Sequence, residues 1–242
     1  MEDFSNLVNW EKVFDQSEKF KKQEPFNFGY VENFLEKEFY ERLYENYPKI
    51  DDSWLESFHI NKYMFVKTWS DVDEKGIIGE EDDPSFNEDW NKLKRYFQSE
   101  EFIDNFRKFS GVPVTKLKEF KLIAYKKGGF QMPHIHHEGG NTLIFTVFFA
   151  KNWEKGDPGA TYMCTDVDDD ESIIFEPYNL DNTMEVFQDG PKAAHGVRYI
   201  TKDVVRQGLL FTLEQYSPET GWSAGDQSTI KKKRETTAIE IE

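Results

Sequence analysis

At Pro113 the chain changes its hydrophobic period. Before it, apolar residues recur at helical spacing. Leu35, Phe39, Leu43 and Tyr47 lie on one face of "YVENFLEKEFYERLYENYP" (30–48), which opens as a short strand and stops at Pro48. Trp90, Leu93, Phe97, Phe102 and Phe106 form an apolar stripe within 89–111, read as one long helix closed by Gly111 and Pro113. "YMFVKTWS" (63–70) has strand character, and 76–89 is a loop rich in Gly, Pro and acid. After Pro113 come short β-like runs at close spacing: 120–125, 141–150, 160–164, 172–177, 183–187, 195–200 and 206–216. Several short strands behind a helical half predict a β-sandwich or jelly roll with helices packed on it. We expect one domain over 1–216, made of a helical half (residues 1–113) and a β core (residues 114–216). A polar tail, 217–242, follows and carries "KKKR" at 231–234.

The 22 Phe, 11 Tyr and 6 Trp among 242 residues imply a real packed core rather than a disordered chain. A formal net charge of −16 repels phosphate, so nucleic acid and anionic membranes are not expected partners. A small anion held by a local arginine is compatible with that charge. Cys164 is the single cysteine, expected as a small buried hydrophobe. "MEDFSNLVNW" lacks a basic region followed by an apolar run, and no stretch approaches the roughly 20 apolar residues of a membrane span. The expectation is a cytoplasmic protein with no membrane contact.

Three of the five histidines crowd into "PHIHHEGG" (133–140). On an extended chain, residues i and i+2 face the same side, so His134 and His136 can address one point while His137 turns away. His136 and Glu138 could equally form the pair. His195 begins a later strand and is placed to supply a third ligand. Imidazole suits iron, zinc, copper and nickel, and two imidazoles with one carboxylate make the facial set of non-haem Fe(II) oxygenases. Arg206 could grip a carboxylate with its forked donors. "TDVDDDES" (165–172) alternates acids like a calcium loop, but Glu171 and Pro177 stand where that loop needs Gly and Glu, so it is read as a solvated acidic loop. His59, Trp69 and Trp90 are read as packing or surface residues.

The stretch 123–213 resembles the Fe(II)- and 2-oxoglutarate-dependent oxygenases, in the prolyl-hydroxylase-like branch. The features that carry the resemblance are Tyr125, Gly128, "HIH" at 134–136, "LIFTVFFAKNW" at 143–153, "GDPGATY" at 156–162, "EPYNLDNTMEVF" at 176–187, "HGV" at 195–197, and Arg206 eleven positions after His195. The segment 30–48 looks like the helix-bearing portion that such enzymes place before the core. The resemblance implies a double-stranded β-helix core (a cupin-like jelly roll), an Fe(II) centre, 2-oxoglutarate as co-substrate and O2 as oxidant. It further implies Arg206 on the distal carboxylate of 2-oxoglutarate, with Tyr125 beside it. Two departures stand out. His136 replaces the usual Asp, and "GGFQMPHIH" is similar to a sub-branch that shares this feature. The ligands are then His134, His136 and His195, or, with the frame slipped by two, His136, Glu138 and His195. Spacing from Tyr125 favours the first set, which we adopt; ligand chemistry favours the second. Phe148 stands where relatives often place a Tyr that contacts 2-oxoglutarate; Thr142 or Thr146 on the same strand face is the substitute.

The expected activity is hydroxylation of a small molecule or a peptidyl side chain. The competing readings are a three-histidine cupin-like dioxygenase, isomerase or hydrolase that does not use 2-oxoglutarate, and a non-catalytic jelly-roll binding module. A homodimer is the default expectation for such enzymes.

Overall fold

The computed structural model describes residues 2–223, apart from 70, 137, 138, 170 and 171. The elements in chain order are α1 (Trp10–Asp15), α2 (Ser17–Lys21), β1 (Phe28–Glu32), α3 (Lys37–Glu45), β2 (Leu55–His59), β3 (Lys62–Thr68), α4 (Glu88–Gln98) and α5 (Glu100–Ser110). They continue with β4 (Lys116–Tyr125), β5 (Phe130–His134), β6 (Thr142–Phe149), β7 (Thr161–Cys164), β8 (Ile173–Phe175), β9 (Asp181–Gln188), β10 (Ala194–Val197), β11 (Arg206–Glu214), β12 (Tyr216–Ser217) and β13 (Gly221–Trp222).

One sheet runs β1-β9-β6-β11-β4-β3-β5-β10-β7-β8, with β2 pairing to β3, and its named pairings are antiparallel. It curls because β3 pairs with two partners at different ends: Phe65–Thr68 with β4, and Lys62–Tyr63 with β5. The result is the mainly antiparallel jelly roll expected from the sequence, with helices on one outer face.

Strand alternation divides the side chains between two faces. On β11, Leu209, Phe211 and Leu213 join the core beneath the helices, while Arg206 and Leu210 point inside the curl. The helix stripe meets them as predicted. Phe97 packs on Phe211 at 4.5 Å between ring centroids, Phe106 on Phe145 at 4.7 Å, and Phe145 stacks on Phe211 at 4.2 Å. Trp69 and Trp90 lie in this same core, and Cys164 is buried.

Two expectations change, the single helix and the division at Pro113, and both ends of the chain gain detail. The helix expected over 89–111 is two helices, because Ser99 is extended (φ −70°, ψ 147°) and its hydroxyl caps α5 by accepting from the Phe102 amide. Ahead of β1, the chain forms α1 and α2, which bury Val13 and Phe20 completely. The segment before Pro113 gives three strands to the sheet as well as its helices, so β and helical portions do not divide at that proline. The tail begins docked: β12 and β13 pair, and the Trp222 indole donates to the Lys75 carbonyl at 2.7 Å. The "KKKR" segment lies outside the described residues, as do Asp170 and Glu171 of the acidic loop. The acid-rich loop is pinned by Lys94, which is fully buried and donates to the carbonyls of Gly79, Glu80 and Glu81 at 3.1, 3.0 and 2.9 Å. Among the described residues, no helix is long and apolar enough to cross a membrane.

Candidate metal and anion site

His134 closes β5, and His195 lies within β10, directly opposite it in the register. His136 follows two residues on. The strand period and the β5–β10 pairing thus bring all three imidazoles to one point inside the curl. The Nε2 atoms of His134 and His136 are 3.1 Å apart, and those of His136 and His195 2.9 Å. A ligand atom from each lies within 4.8 Å of the others. Nδ1 of His134 contacts the Met132 carbonyl at 3.1 Å, and Nδ1 of His195 the Ala193 carbonyl at 2.9 Å. A carbonyl can only accept, so both Nδ1 atoms carry the proton and both Nε2 atoms turn lone pairs inward.

Protonation does not relieve that crowding. Burial holds His136 down at about 3, with the neighbouring His134 charge adding to it. Burial depresses His195 well below the ordinary imidazole value, and lowers His134 as well. Three neutral imidazoles with converging lone pairs form a donor set for a transition-metal ion. The residues present therefore fit an Fe(II) centre. Glu138, the carboxylate of the other ligand set, and His137 lie outside the described residues.

Arg206 and Tyr125 come together through the β4–β11 register, where they are direct partners. Arg206 is 0% exposed. Its Nη2 donates to Thr161 Oγ1 at 3.0 Å, and its guanidinium sits 4.9 Å from the Tyr125 ring and 4.7 Å from the Phe148 ring. Its Nε and Nη1 have no acceptor among the described residues. Two unfilled donor nitrogens on a buried cation are costly unless an anion completes them, and a carboxylate is a fitting acceptor for a guanidinium. Phe148 is thus an aromatic face for the guanidinium. Thr146 lines the cavity on the same strand, whereas Thr142 is buried with its hydroxyl unpartnered.

Polar contacts run from Tyr125, whose ring faces Arg206, to His134. The Tyr125 hydroxyl donates to Gln131 Oε1 at 3.0 Å, and Gln131 Nε2 contacts His134 Nε2 at 3.1 Å. Burial pushes the Tyr125 phenol up to about 12, so it stays protonated and keeps donating. The cavity around these groups measures about 260 Å3, with Ile123, Ile144, Phe187 and Leu210 among its walls.

Gln131, Thr161, Lys62, Lys121 and Glu185 are site residues that the sequence motifs did not single out. Glu185 is 1% exposed, and neither carboxylate oxygen has a partner among the described residues. Burial raises its carboxyl well above the usual range against the pull of Arg206, so it is a neutral acid. The signal was present: Glu185 shares the inward parity of Thr183 and Phe187 on an otherwise buried strand. His59 lies at the end of the exposed hairpin strand β2, opposite Lys62, and is not one of the convergent trio.

No family model matches the chain, and no curated protein sequence is similar to it. Solved structures are. A Pseudomonas putida prolyl-4-hydroxylase matches with a TM-score of 0.60 and 12% identity, over 86% of this chain and 99% of that one. A Trichoplax adhaerens prolyl hydroxylase, solved with a hypoxia-inducible-factor peptide fragment, matches at 0.53 and 11%, over 84% and 88%. The non-haem α-ketoglutarate-dependent epimerase SnoN of nogalamycin biosynthesis matches at 0.54 and 9%, over 84% and 81%. At such identities the likeness is one of fold: this chain has the double-stranded β-helix found in 2-oxoglutarate–Fe(II) oxygenases. To that fold it adds an H-x-H pair and a distal histidine that converge.

Proposed function

We propose that the protein is a non-haem oxidoreductase that uses Fe(II), 2-oxoglutarate and O2 to hydroxylate a small molecule or a peptidyl side chain. The observation that carries this is the pairing of three convergent neutral imidazoles with a buried guanidinium that has two donors unfilled among the described residues and touches Thr161 and Tyr125, both on the wall of the cavity the imidazoles line. His134, His136 and His195 would hold the metal, and Arg206 with Tyr125 the distal carboxylate of 2-oxoglutarate. When bound, the iron and its keto acid supply the oxidative chemistry, with succinate and CO2 as by-products.

The chain's own work is to position and to exclude. The Nδ1 contacts to the Met132 and Ala193 carbonyls fix two ring orientations before any ligand arrives. The Tyr125 and Phe148 rings hold the guanidinium plane, and Thr161 fixes its roll. Gln131 accepts from the Tyr125 hydroxyl and so orients it. The apolar wall keeps water from the reacting region. Glu185, being neutral, places no opposing negative charge against an incoming dianion.

A three-histidine centre that does not use 2-oxoglutarate is the second reading, favoured by the absence, among the described residues, of a carboxylate from the convergent trio. Anaerobic addition of Fe(II) and then 2-oxoglutarate separates the two. The proposal expects a visible charge-transfer band from keto-acid chelation in the wild type, absent from Arg206→Met and His195→Ala. Iron binding without a band would select the second reading, and no transition-metal binding at all would leave a non-catalytic jelly roll.

A further inference from the structure

The cavity has a second cationic pole. On β4 the inward residues run Tyr125, Ile123, Lys121, so Lys121 stands four residues from the Arg206 partner, about 13 Å along the strand. Lys62, on β3, lines the same cavity. Both lysines thus share a cavity wall with the imidazole trio. Arg206 is sealed, whereas Lys62 and Lys121 are half-buried.

Their pairing is incomplete. Lys121 shares its charge with Glu119, 3.2 Å away. Lys62 has no acceptor within reach among the described residues, and burial together with Lys121 presses its pKa down. Two ammonium groups and one carboxylate leave a single net positive charge, in a protein whose formal charge is −16. Around them the wall is apolar: Val66, Ile123, Ile144 and Leu210. A monoanion would complete Lys62, whereas a dianion would meet the Glu119 carboxylate.

Resting on the function proposed above, we infer that the substrate is a small monocarboxylic acid with an apolar body. Its carboxylate is received by Lys62, with Lys121 in support, and its body lies along Val66, Ile123, Ile144 and Leu210 towards the three histidines. Co-substrate and substrate thereby take opposite cationic poles, and the acid's hydrocarbon is what faces the metal centre.

The test is ligand-observed NMR titration of the full chain, loaded with Zn(II) and saturating 2-oxoglutarate, which occupies Arg206. The probes are hexanoate and phenylacetate, each against its primary amide. The expected result is that the acids bind at least about tenfold more tightly than the amides. Lys62→Met should cost the acids about tenfold and Lys62→Arg should restore them, while 2-oxoglutarate affinity stays within about twofold. Equal binding of acid and amide, no binding of either acid, or no loss in a folded Lys62→Met protein would each overturn the inference. A parallel loss of 2-oxoglutarate affinity in Lys62→Met would hand the lysine pole to the co-substrate and overturn it too. Failure of 2-oxoglutarate to bind the wild type would instead defeat the oxygenase proposal. The acid–amide comparison in Arg206→Met would then still decide the role of Lys62.

Discussion

Glu185 carries a titration that Arg206 does not cancel. In the unfolded chain its carboxyl ionises near 4.5; in the folded protein burial holds it protonated to a much higher pH. Between those two values the native state binds the extra proton, so this residue's contribution falls as pH rises through that window. Glu185→Gln cannot ionise and loses that slope. The melting-temperature difference between Glu185→Gln and wild type is expected to grow in the variant's favour from pH 5 to pH 8, by the equivalent of about 1–3 kcal/mol. A difference that stays flat across that range would mean that Glu185 is solvated or paired. The same residue marks where the pattern of residues stops being informative. The histidines were legible because the i, i+2 period is local. Glu185, Thr161 and the two lysines matter only through neighbours brought by β6, β7, β10 and β11, and parity alone cannot name those neighbours.

At the scale of elements, β10 is the closing strand. It pairs with β5 on one side and β7 on the other, and it carries His195 between them. Gly196 makes that closure possible: a Cβ there would stand 2.6 Å from Tyr162 Oη and 2.8 Å from the Gln131 backbone oxygen. Gly196→Ala is therefore expected to cost about 1–3 kcal/mol in denaturant unfolding and to weaken metal binding as His195 shifts. Gly190→Ala, whose Cβ would meet nothing within 4 Å, is the control. Unchanged metal affinity in Gly196→Ala would show that β10 can give way without moving the histidine. The strands after Pro113 were readable from their alternation and turns. β2 and β5 were not: β2 has mostly exposed residues, and β5 contains Pro133, so neither shows a buried face. The split at Ser99 escaped because the apolar stripe continues across it, while the break lies in one backbone ψ and one cap.

Across the whole molecule, residues on both sides of Pro113 share one core. Leu43, Tyr47, Trp90 and Phe102 belong to the same cluster as Phe145, Val147, Leu209 and Phe211. The Tyr47 hydroxyl reaches into the sheet, 2.9 Å from the Ile123 carbonyl and 2.8 Å from that of Gly208. We expect one calorimetric transition with matching van't Hoff and calorimetric enthalpies, and no folded species from residues 114–223 alone. Two resolved transitions would show that the halves are independent. The sequence patterns indicated both halves but not their shared strands, because β1 and β3 find their partners far along the chain.

The unfilled donors of Arg206 have a further meaning at this scale. A folded state with an incomplete hydrogen-bond inventory gains from whatever completes it, by an amount that grows with the logarithm of ligand concentration. The fraction of molecules open to proteolysis at any moment then falls as the ligand becomes plentiful. Abundance of the protein itself would track the supply of small dicarboxylates, with no sensor beyond one buried side chain.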